Sequence, residues 1–174
     1  MMNTRNEFLL VIILLILCAS LSESEAAKKP DPRAKNIADL FMRVNPEVRP
    51  KQADKYAAIA IEAAAKFNQD PYVIAAIIVH ESTVRANAVS QGGDYGLMQI
   101  HWKAHYKTLQ QRFHIKSSKG LFDPRINIFF GTEIFADCMK KSSTDLWGAL
   151  MRYSSGSRKL ATKVIATVQE LQRK

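Results

Sequence analysis

Glu81 follows, after His80, an apolar run, Tyr72-Val73-Ile74-Ala75-Ala76-Ile77-Ile78-Val79, and thirteen positions later comes a second carboxylate, Asp94. A helix apolar on every side is a buried helix. An acid at its C-terminal end meets the negative pole of the helix dipole. Burial and dipole both oppose ionisation, so Glu81 is expected to hold its proton towards neutral pH. A carboxyl kept protonated there can donate to a leaving oxygen. A second, ionised carboxylate can stabilise positive charge at an anomeric carbon, and acetal cleavage uses such a pair. Taken singly, each residue has a plainer reading. Glu81 could simply reach solvent at a helix end, and Asp94 could be a turn residue.

Between the two, Asn87 and Gly92-Gly93 break the helix and turn the chain back past Glu81. The return carries Ser90, Gly96-Leu97-Met98-Gln99-Ile100 and His101. Leu97 and Met98 are of types that more often fill a core than a cleft. Metal chemistry finds little support. His80-Glu81 lacks the second histidine of H-E-x-x-H, because Val84 stands there. His101 and His105 are one helical turn apart with no third ligand in view, so no metal and no cofactor is expected. Trp102 and Trp147 are of types that line cores or cleft walls.

The elements that must position these residues read as helices. Asp31-Pro32, Asp70-Pro71 and Asp123-Pro124 each pair an N-cap residue with proline at the first helical position. Ile37, Leu40, Phe41 and Val44 recur at helical spacing, before Asn45-Pro46 and Pro50 interrupt. An alanine-rich helix is expected over 53–67, and the buried helix follows from Asp70. Ile126, Ile128, Phe129, Phe130, Ile134 and Phe135 mark another helix. Ser143 or Thr144 is expected to cap one through Trp147, Leu150 and Met151. A last helix is expected over 158–171. Strand signals are weak, leaving room for a short hairpin over 88–95 about Gly92-Gly93. The expected fold class is mainly α, in one globular domain over 32–174.

The N-terminus reads as an export signal over residues 1–26. Arg5 precedes an apolar stretch over 8–19, which is shorter than the ~20 residues that span a bilayer. Ser24-Glu25-Ala26 fits a cleavage site. An uncleaved anchor is the alternative. A lipoprotein fits poorly, with bulky Leu17 before Cys18. Residues 27–31 form a short linker. Removal of Cys18 would leave Cys138 alone, with no intramolecular disulfide. The expected place is then the periplasm, with membrane contact only during export.

The 174 residues carry a formal charge of +9, which attracts polyanions: nucleic acid, anionic membranes or acidic wall polymer. The cations are scattered, in pairs such as Lys28-Lys29 and Lys140-Lys141, without a basic run or zinc spacing. Nucleic acid is therefore not expected as a partner.

Glu81-Ser82, the Gly-Leu-Met-Gln-Ile run, the segment Leu-Phe-Asp-Pro-x-x-Asn-Ile-x-x-Gly over 121–131, and Tyr153-x-x-Gly156 resemble family 1 lytic transglycosylases. The resemblance covers about 53–156. It implies a lysozyme-like fold of the goose-type or SLT kind and cleavage of peptidoglycan between N-acetylmuramic acid and N-acetylglucosamine. By position it makes Glu81 the acid and then the base. Asp94 becomes a secondary, charge-stabilising residue, as in a subset that shares an aspartate with hen-type lysozymes. Ser90, Gln99, Tyr153, Met98 and His101 become substrate-binding. Small secreted members of this kind serve secretion, conjugation or pilus machines, and a monomer is expected. The chain departs from the pattern twice. Arg152-Tyr153-Ser154 stands where Ala-Tyr-Asn is usual, and His101 follows Gln-Ile where Met or Asn is common. A hydrolytic lysozyme with water as acceptor, and an inactive wall-binding scaffold, remain as alternatives.

Overall fold

Proline at a first helical position sets where several helices begin. The computed structural model describes residues 31–173; the expected signal at 1–26 and linker residues 27–30 lie outside the described residues. Helix α1 is Arg33–Val44, α2 Pro50–Lys66 and α3 Pro71–Ser82. Strands β1, Asp94–Tyr95, and β2, Ile100–His101, precede α4, Trp102–Phe113. A 3-10 turn over Ser118–Phe122 leads into α5, Pro124–Lys141, then α6, Leu146–Tyr153, and α7, Arg158–Gln172.

Asp70 and Asp123 cap as expected: their carboxylates accept from the Tyr72 amide at 2.8 Å and the Ile126 amide at 2.9 Å. Other ends differ from expectation. Pro32, not Asp31, holds the N-cap position of α1. Pro50, read as an interruption, is the first residue of α2, where a missing N–H costs nothing. Asp145 caps α6 in place of Ser143 or Thr144, accepting from the Gly148 amide at 2.6 Å. Both displaced residues are left-handed, with φ of 50° and 65°, and lie in the turn before it.

The main core forms around α3, whose residues from Val73 to Val79 are all buried. It packs against α2 and α7, while α5 packs on α2 and α6. Each large aliphatic side chain removed from water there contributes on the order of 2 kcal/mol. A second, smaller core of Ile100, Leu109, Leu121 and Phe130 lies beneath β2 and α4. Helix α4 had no sequence expectation; Leu109 is its one fully buried residue. The two-stranded sheet is antiparallel, pairing Asp94 with His101 and Tyr95 with Ile100. The expected 88–95 hairpin survives as a single bridge, Val89 to Tyr95, and the partner of β1 is instead the end of the Gly-Leu-Met-Gln-Ile run. Among the described residues, no helix is long and apolar enough to cross a membrane.

Candidate active site

Glu81 is the penultimate residue of α3 and opens into a cleft of about 560 Å³. The cleft is also lined by Asp94, Gln99, His101, His105, Cys138, Arg152 and Tyr153. Burial, and secondly the Asp94 charge, raise its pKa from 4.5 to about 7. Among the described residues, no protein group is hydrogen-bonded to its carboxyl, so the proton is free to meet a ligand.

The turn after Glu81 is strained. Thr83 and Val84 are consecutive β-branched residues with φ of 54° and 58°. Such residues in the left-handed region cost about 1–3 kcal/mol each. Packing and hydrogen bonds hold them: Val84 is buried, and Asn45 Nδ2 donates to the Thr83 carbonyl at 3.0 Å. Ser82 Oγ donates to the Ile78 carbonyl at 3.0 Å, which ties the last turn of α3 down.

Asp94 is oriented from two sides. Ser90 Oγ donates to its Oδ2 at 2.7 Å, and His101 Nδ1 donates to its Oδ1 at 2.9 Å. The strand register makes the second contact, since Asp94 and His101 are paired residues. His105 sits beside His101, and burial and then the His101 charge lower its pKa. Burial raises the Cys138 thiol, so it is not poised as a thiolate nucleophile.

The segment 96–99 is held from the protein side. Asn127, fully buried on α5, donates to the Tyr95 and Leu121 carbonyls at 2.8 and 2.9 Å and accepts from the Met98 amide at 2.8 Å. Tyr153 Oη donates to the Met98 carbonyl at 2.8 Å. Burial, then the Glu81 charge, holds the phenol pKa well above its usual range, so it remains a donor. Gln99, with φ of 48°, donates from Nε2 to the Gly96 carbonyl at 2.9 Å. Gly96 has φ of +79°, and a Cβ there would collide with Asn127 Nδ2 and the Leu121 carbonyl.

The candidates thus divide. Glu81, Asp94, Gln99, His101 and Tyr153 line one cleft. Ser90 is not among the lining residues; its hydroxyl holds Asp94. Met98 is fully buried against Gly131, whose absent side chain makes room for the thioether, and it meets the site only through its backbone. A sugar contact by the Met98 side chain is therefore replaced by a packing role. Asn127 stands in the Leu-Phe-Asp-Pro-x-x-Asn-Ile-x-x-Gly segment and Asn45 in the Asn45-Pro46 break, but sequence reasoning assigned neither a role in the site. The available signal for Asn127 was a polar amide inside the apolar run Ile126 to Phe130. Asn45 is marked locally only as the residue before Pro46, which says nothing of its bond to the Thr83 carbonyl.

Residues 58–174 match the family described as the transglycosylase SLT domain. Membrane-bound lytic murein transglycosylase C of Salmonella arizonae is 35% identical over 103 residues, covering 58% of this chain and 29% of that protein. A peptidoglycan-binding-like protein of Escherichia coli O157:H7 is 32% identical over 105 residues, covering 55% of this chain and 62% of that protein. The chain therefore spans less than two thirds of the length of either relative. The structure of the lytic transglycosylase Slt of Pseudomonas aeruginosa, solved as an inactive mutant, aligns with a TM-score of 0.53 at 21% identity. That alignment covers 80% of this chain and 28% of that one. It establishes the mainly helical, lysozyme-like fold.

Proposed function

This chain belongs to the transglycosylase SLT domain family, and from that premise we propose that it is a peptidoglycan lytic transglycosylase. The reaction is cleavage of the β-1,4 bond between N-acetylmuramic acid and N-acetylglucosamine with closure of a 1,6-anhydro ring. The observation that carries this reading is Glu81: a cleft carboxyl with no hydrogen-bond partner among the described residues, its pKa raised to about 7 by burial and the neighbouring Asp94 charge.

Protonated Glu81 gives its proton to the glycosidic oxygen, and the muramic acid ring develops oxocarbenium character. The substrate's own N-acetyl group assists. Asp94, held by Ser90 and His101, presents negative charge to the same cleft and favours the positive transition state. Glu81, now ionised, takes the proton of the 6-hydroxyl, which attacks the anomeric carbon. One residue serves twice because its proton is returned. Gln99, His101 and Tyr153 border the glycan, while Ser90 and Met98 act through Asp94 and the backbone.

A second reading, a hydrolytic lysozyme, is favoured by one observation: Asp94 shares the cleft with Glu81, giving two carboxyl groups of the kind hydrolases use. Mass spectrometry of products from purified sacculi separates the two. Anhydromuropeptides support the transglycosylase; reducing ends with incorporated water support the hydrolase. Binding without any cleavage would leave a wall-binding scaffold, in line with the name of the Escherichia coli relative. The wider setting rests on the sequence: export by residues 1–26, action in the periplasm as a monomer, and local wall opening for a secretion, conjugation or pilus apparatus. The charge of +9 draws the protein towards an anionic wall.

A further inference from the structure

Arg152 is a cleft residue that the mechanism does not use. It lies in the last turn of α6, next to Tyr153, and its side chain is exposed. It lines the same cleft as Glu81 and, among the described residues, is the one permanent cation that does so. Its Nε donates to Ser142 Oγ at 3.1 Å, which steadies the guanidinium without neutralising it. Among the described residues, none of the ion pairs includes it. Its charge reaches Cys138, on the α5 side of the cleft. The exposed guanidinium therefore borders the space a glycan would fill.

An unneutralised guanidinium beside a sugar cleft matches an anionic group on the sugar. Arginine binds carboxylate through two parallel N–H donors. N-acetylmuramic acid differs from N-acetylglucosamine by its 3-O-lactyl group, which ends in a carboxylate or continues into a stem peptide that carries carboxylates. Resting on the glycan-cleaving reading above, we propose that Arg152 is a specificity-determining residue that binds a carboxylate on the muramyl 3-substituent, so that the cleft selects acidic glycan over neutral glycan. The alternative, that Arg152 only complements the C-terminal dipole of α6, predicts no dependence on the substrate's charge.

The test uses soluble glycan oligomers in three forms: peptide-free with the lactyl carboxylate, the same with that group converted to a methyl amide, and peptide-bearing. For the wild type, kcat/KM on at least one carboxylate-bearing form should exceed that on the amide by about tenfold, the scale of one charged hydrogen-bonded contact. The difference should lie in KM, because the contact is remote from the reacting bond. Arg152→Ala should bring the ratio close to one by weakening the acidic forms alone. Arg152→Lys should keep part of it, and Arg152→Gln, which retains a donor for Ser142, should lose it. Preference for the peptide-free acid places the recognised group on the lactyl arm; preference for the peptide-bearing form alone places it on the stem peptide. A ratio unaltered in Arg152→Ala, or all three forms weakened alike, would overturn the assignment. Binding of the three forms to Glu81→Gln protein gives the same comparison without turnover. A wild type inert on all three forms, yet binding with the expected preference, would refute the cleavage reading and leave the carboxylate site standing.

Discussion

Replacing Glu81 by glutamine keeps its shape and removes its titration, so it separates the catalytic role of this residue from its cost to the fold. In the folded protein the carboxyl keeps its proton up to about pH 7, against an ordinary 4.5. The folded state therefore binds that proton more tightly than the unfolded chain. Stability is complete below about pH 4.5 and is lost as pH rises through about 7. Raising a carboxyl pKa from 4.5 to about 7 corresponds to about 3 kcal/mol at full ionisation, at ~1.36 kcal/mol per pH unit. The side chain is not fully enclosed, and solvent screens part of this, leaving about 2 kcal/mol. Most of it develops between pH 5 and pH 8. Glu81→Gln should therefore gain about 2 kcal/mol on the wild type across that interval, or about 4–8 °C in Tm for a domain of this size. Urea and thermal unfolding followed by circular dichroism at pH 5, 6, 7 and 8 measure the difference, with sacculus cleavage assayed on the same preparations. The variant should be folded and inactive. A stability difference that stays flat with pH, or a variant that still cuts, would refute the account of Glu81 as a destabilised, proton-holding acid.

The rate should follow the same proton: wild-type cleavage should decline above about pH 7, and Asp94→Asn should move that limb to lower pH while lowering the maximum rate about tenfold or more. A pH–rate profile with an unmoved limb counts against electrostatic coupling of the pair. Gly96→Ala should destabilise by about 3 kcal/mol or more, since it forces a left-handed residue against Asn127 and Leu121; a denaturant midpoint near that of the wild type would show that the segment can yield. Tyr153→Phe removes a donor to the Met98 carbonyl and should cost about 1 kcal/mol of stability, with a larger proportional loss of activity if that carbonyl holds Gln99 in register; equal losses would restrict Tyr153 to a structural role.

Local chemistry made much of this protein readable from its residues. Asp70 and Asp123 cap their helices because an N-cap carboxylate needs only the amides two or three positions ahead. The apolar run before Glu81 is buried because no side of that helix offers water a partner. From those two facts a protonated acid at a helix end could be expected before any contact was known. Helix α4 was not legible, because it turns mainly polar residues outward and rests on a second core of Ile100, Leu121 and Phe130 drawn from distant parts of the chain. The pairing of Asp94 with His101 required the register of two short strands. The left-handed turn at Thr83 and Val84 runs against their own β-branched preference and persists because burial of Val84 and the Asn45 side chain oppose its release. Asn127 became a hub only when Tyr95, Met98 and Leu121 were brought around it. Sequence alone thus determined the acid and the helix that buries it, through interactions a few residues long. Tertiary structure decided what surrounds that acid, because a carboxylate, an imidazole and a phenol from separate elements line one cleft only when packing closes the chain.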